Sequence, residues 1–130
     1  MYREPTVSDI ARAVSTCVID NDQSMAIRLM FRIVERYDKC DLVTRAEMIR
    51  ECPPPTGDRR YDAMLAAVVE YCCAVRFILA PAWVQRPEFF LDTFWFPAGL
   101  PGLEAEAFAN SPISFSRRGI FINSGSLTYA

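Results

Sequence analysis

Apolar and polar positions along the first 56 residues recur with the period of helices, and no glycine and a single proline ahead of Pro53-Pro54-Pro55 interrupt them. Ile10, Val14, Cys17 and Val18 stand at i, i+4, i+7 and i+8, one buried face of a helix over Val7–Ile19. Thr6 and Asp9 open it at capping-box spacing. The polar cluster Asp20-Asn21-Asp22-Gln23-Ser24 separates it from a second helix. There Met25, Leu29 and Ile33, with Ala26, Met30, Val34 and Tyr37, form a broad apolar surface, so the pair predicts a helical hairpin. Thr44 with Glu47 three residues on predicts a shorter third helix over residues 43–51, ended by the proline triplet because proline has no amide donor.

Asp58 is placed to cap the longest helix, from Arg59 to about residue 77. Met64, Leu65, Val68, Cys72 and Val75 make one stripe, and Ala63, Ala66, Ala67, Val69 and Cys73 fill much of the remainder. A helix apolar nearly all round is central, so this one is the expected spine. Beyond Pro81-Ala82-Trp83 the long period is lost, and short helical turns are expected at residues 87–92 and 102–110. Ser111 as N-cap, Pro112 at the first helical position and Gly119 after the last turn mark a small helix. Ile120-Phe121-Ile122 reads as a buried tether rather than a strand, for want of an obvious partner strand. The expected fold is all-α: one helical domain over residues 1–130, a bundle of about five to six helices with an aromatic, proline-rich C-terminal wrap.

Composition agrees with a single core. The chain has 130 residues, 52% hydrophobic and 23% charged, enough to bury roughly two thirds of its unfolded surface. A net charge of −2, spread evenly, argues against a nucleic-acid coat, which needs clustered cations. Five cysteines without paired spacing and a start lacking an apolar leader make the cytoplasm the expected compartment. Adjacent Cys72 and Cys73 diverge by about 100° on a helix, which suits buried small hydrophobes better than a shared ion. The apolar run through residues 77–83 is broken by Pro81 and falls short of the ~20 residues of a membrane span.

The chain has no histidine, which removes Ser-His and Cys-His nucleophile pairs, imidazole metal ligands and an imidazole base. Its one lysine, Lys39, lies in no glycine-rich phosphate loop, and no Gly-x-Gly-x-x-Gly motif occurs. Asp58 and Asp62 share a helix face, but in a first turn, where they serve capping and the helix dipole. No catalytic residue, metal site or cofactor is expected, and a non-enzymatic protein is the leading reading.

Binding features fall into three groups. Arg28, Arg32 and Arg36 repeat every four residues on the second helix, a solvated face first and a docking ridge second. Arg117 and Arg118 follow the small capped helix, where they either complement its negative end or hold an acidic partner. Residues 87–97 and 111–122 carry six of the nine Phe and one of the two Trp. Within them Phe94, Trp95 and Phe96 either seal the bundle or present a patch, the core reading leading with one ring left to reach a partner.

Several of these segments together, Ala26-Ile27-Arg28-Leu29, Pro53-Pro54-Pro55-Thr56-Gly57-Asp58, Arg60-Tyr61-Asp62-Ala63-Met64-Leu65-Ala66-Ala67, Pro81-Ala82-Trp83, Phe90-Leu91-Asp92, Trp95-Phe96-Pro97 and Arg117-Arg118-Gly119-Ile120-Phe121, resemble a group of actinobacterial helical proteins. Members of that group look like antitoxin-side partners of nucleotidyltransferase-type toxins, and some carry the region behind a helix-turn-helix domain. The resemblance covers residues from about 9 to 127 and implies a small partner protein that binds and neutralises a toxin. No recognition helix with basic, turn-linked geometry is apparent here, so a protein partner is expected ahead of direct nucleic-acid binding, with a dimeric DNA-binding regulator as the alternative.

Overall fold

The computed structural model describes residues 3–97, 107 and 110–122. Among them are five α-helices: α1 Val7–Ile19, α2 Gln23–Lys39, α3 Leu42–Ile49, α4 Arg59–Ala74 and α5 Ile113–Ser116. Two 3-10 turns, Ala82–Gln85 and Pro87–Phe89, lie between α4 and the tail. The expected all-helical bundle is what the chain forms. No helix among the described residues is long and apolar enough to cross a membrane.

Caps set the starts. Thr6 and Asp9 complete a reciprocal capping box on α1, with Asp9 N donating to Thr6 Oγ1 at 3.1 Å and Thr6 N to Asp9 Oδ2 at 2.9 Å. Asp22 caps α2, and Asp58 caps α4 by accepting from Arg60 N at 2.9 Å. The cap of α3 differs from expectation: Asp41 accepts from Thr44 N at 2.8 Å, so Thr44 lies inside the first turn. This helix also stops at Ile49, ahead of the proline triplet, rather than being cut off by it.

These capping carboxylates tie stability to pH. Hydrogen bonding lowers the pKa of Asp9 through the Thr6 backbone amide, of Asp41 through the Thr44 amide, and of Asp58 through the Arg60 side chain. A carboxylate depressed by folding contributes stability that is present above its unfolded pKa of about 4 and lost as pH falls through the lower folded value. Urea midpoints should therefore drop on acidification below about pH 4. Asp58→Asn should keep the cap yet flatten that slope, whereas Asp58→Ala should cost about 1 kcal/mol at neutral pH.

α4 is the spine, packing against α1, α2, α5 and both 3-10 turns. Ten of its side chains are buried, including Met64, Leu65, Val68 and Val69 at the centre of the core. The flanking Ala63, Ala66 and Ala67 are also buried, and their small size lets neighbouring helices approach. Cys72 and Cys73 are buried free thiols, and burial pushes the Cys72 thiol up to about 12.

α4 ends at Ala74, three residues short of expectation. Arg76 turns back on the helix end, donating to the Cys72 carbonyl, pairing with Asp38 and covering the Tyr37 ring at 5.1 Å. Phe77 N bonds the Ala74 carbonyl at 3.1 Å and Ile78 N the Cys73 carbonyl at 2.9 Å. That pair of bonds is a Schellman closure.

The tail differs from expectation in two places. Ser111 does not cap this helix; its Oγ lies 2.6 Å from the Ala107 carbonyl and 2.8 Å from that of Ile122, its one proton available to either, and accepts from Ile122 N at 2.7 Å, pinning the two ends of this stretch together. Ile120, Phe121 and Ile122 are buried as expected, but they do have an extended partner. Leu91 N reaches the Arg118 carbonyl, Trp95 N the Gly119 carbonyl at 2.8 Å, and Phe121 N the Trp95 carbonyl at 2.9 Å, with a parallel bridge between Trp95 and Ile120. The expected turn at residues 102–110 lies outside the described residues apart from Ala107 and Asn110.

Candidate functional site

The Arg117-Arg118 pair splits in role. Arg118 has no exposed surface: Nη1 donates to Glu70 Oε1 at 2.6 Å and to the Ser114 carbonyl at 2.8 Å, and Nη2 to the Val84 carbonyl at 2.6 Å. Phe90 covers the guanidinium at 4.6 Å from its ring centre. Burial pulls the Arg118 pKa down and the Glu70 carboxylate opposes that shift. One side chain thus joins α4, α5 and the first 3-10 turn. The expected partner contact at Arg118 gives way to an internal one, because reaching a partner would require unseating the tail. Arg117 stays exposed but is held by Glu70 at 3.0 Å and Gln85 at 2.8 Å.

The aromatic cluster divides similarly. Trp95 is half-buried, 5.9 Å from Tyr61 and under the Arg60 guanidinium at 5.3 Å, while Phe96 stacks on Phe121 at 5.3 Å. Phe94 meets Phe121 edge-on at 4.9 Å and remains 67% exposed. On α2, Arg28 and Arg32 are exposed and make no hydrogen bond or ion pair with a described residue, whereas Arg36 pairs with Glu4 at 2.9 Å. The eight expected contact residues are therefore not brought into one surface.

Sequence reasoning missed a further feature, at the end of α4. Phe77 is 98% exposed and Leu79 95% exposed, with Val75 and Ile78 also open to solvent. Leu42 and Val43 are exposed at the start of α3, the same end of the bundle, which Arg45 ties to α2 through the Tyr37 and Asp38 carbonyls. The available signal was the run Val75-Arg76-Phe77-Ile78-Leu79-Ala80-Pro81: consecutive apolar residues before a proline cannot all turn to one helix face.

A cleft of about 500 Å³ opens between the start of α1 and α3, with Arg3, Glu4, Asp9, Arg12, Glu47 and Glu51 among its lining. Asp9 there is committed to the capping box and to Arg3 and Arg12, and its lowered pKa is opposite in direction to what a general acid requires. No cluster of metal-ligating side chains occurs among the described residues. Comparison with protein-family models, curated proteins and solved structures finds no match to this chain.

Proposed function

We propose that this chain is a non-enzymatic protein-binding module, an antitoxin-like component that docks on a cognate toxin and neutralises it. The observation that carries the binding reading is the group of exposed large apolar side chains at one end of the bundle, Val75, Phe77, Ile78 and Leu79 with Leu42 and Val43 nearby. The largest exposed apolar patch on a soluble domain is often its interaction site, whereas single exposed residues carry no such meaning. The antitoxin role is the specific form of this reading and rests on the motif resemblance. Arg28 and Arg32 are secondary contacts in this reading, since they lie toward the start of α2 while its far end, at Asp38, meets Arg76.

Co-expression with the product of the adjacent gene tests the proposal. A stoichiometric complex that survives size exclusion, and loss of the toxin's effect on growth, are the expected results. A well-folded chain that stays monomeric beside that product, with growth still arrested, contradicts it.

A further inference from the structure

Phe77 occupies a backbone position made for glycine. Its φ is +56°, and the bonds from Phe77 N to the Ala74 carbonyl and Ile78 N to the Cys73 carbonyl place it at the residue just past the helix cap of a Schellman closure. Glycine takes that conformation without steric cost, and a bulky residue there is an outlier. Strain of this kind is ordinarily compensated by packing, yet the Phe77 ring is 98% exposed and makes no ring contact with a described residue. Folding therefore gains nothing from phenylalanine at this position.

We infer that Phe77 is a binding anchor, held out by the α4 closure with Leu79 beside it, whose receptor is an uncharged apolar pocket on a different protein. This rests on the protein-binding reading above. Charge matching favours such a receptor: Arg76, the cation within the segment, is matched by Asp38 and Lys39 by Glu35, while Arg45 is bonded to the Tyr37 and Asp38 carbonyls and faces the Asp41 carboxylate, whose pKa it helps to lower. A membrane surface would call instead for unpaired cations around the apolar tip. A second copy of the chain is disfavoured by shape. Among the described residues, the clefts of about 500 and 400 Å³ are lined by charged side chains, and a small one beside Pro5, Ile10 and Ile33 measures about 20 Å³, too little for a phenyl ring. Tip against tip would cover on the order of 400 Å² per chain, taking about 200 Å² for a whole Phe, against about 800 Å² per partner in a stable interface.

The test uses the full chain with p-benzoylphenylalanine as the probe at position 77, and at position 94 as control, irradiated in the source cells. The expected result is one discrete adduct from position 77, mapped by mass spectrometry to apolar residues of another protein. Titration of that purified protein should then show Phe77→Ala and Phe77→Gly weakening affinity at least about 30-fold. Phe77→Gly should also raise Tm by about 3–5 °C, whereas Phe77→Ala, which keeps the left-handed strain, should not. An adduct only to a second copy or to phospholipid, no adduct at all, or variants that bind like wild type overturn the inference. If wild type and Phe77→Gly both keep the co-expressed complex, the anchor assignment fails while the binding module stands; if wild type forms no complex, the binding reading itself fails.

Discussion

Glu70→Ala is expected to destabilise the fold by about 3–5 kcal/mol, because it leaves the Arg118 cation buried without its counter-charge. Arg118 is withdrawn from water and its two terminal nitrogens are spent on Glu70 and on the carbonyls of Ser114 and Val84. Two neutral carbonyls do not replace a carboxylate 2.6 Å away. A loss of that size is a large fraction of the roughly 5–15 kcal/mol that holds a domain of this size together. Urea unfolding should show a lower midpoint with an unchanged slope. Hydrogen exchange should accelerate first in residues 111–122, which the brace fastens to α4. Glu70→Leu with Arg118→Met should cost much less than either single change, since removing both charges removes the penalty each leaves behind. Additive losses in that cycle would mean that the pair is not coupled.

Gly119→Val is expected to cost about 3 kcal/mol, from two sources that act together. The φ of Gly119 is +84°, a region closed to β-branched side chains, and a Cβ there would lie 3.2 Å from the Thr93 carbonyl oxygen. That oxygen belongs to the backbone of the segment whose Trp95 N bonds the Gly119 carbonyl, so it cannot move aside without breaking the bridge. Gly119→Ala should lose less, by the missing β-branch. Wild-type melting of both variants would show that the tail does not close through a left-handed residue.

Local chemistry was readable from the chain, and long-range pairing was not. The ends of α1 followed from Thr6, Asp9 and one apolar stripe, all within thirteen residues of one another, and the spine role of α4 followed from its nearly continuous apolar surface. Asp41 and Thr44 are both good caps three residues apart, and only the backbone angles decide between them. The association of residues 91–95 with 118–121 has no local signature, since three backbone bonds between residues 24 to 27 positions apart leave no mark on composition. Arg118 reads as either a complement to the helix end or a contact to an acidic partner, and its burial is not legible because arginine is almost never fully buried without a partner and Glu70 lies 48 residues away. The end of α4 at Ala74 has no signature in the residue names, which do not say that Arg76 folds back on the helix end.

Hydrogen–deuterium exchange on the complex with the adjacent gene's product, compared with the free chain, tests the docking surface most directly. Protection gained at residues 75–80, with the start of α3 beside them, is the predicted result. Protection confined to α2 or to residues 91–96, with the end of α4 exchanging as in the free chain, would contradict it.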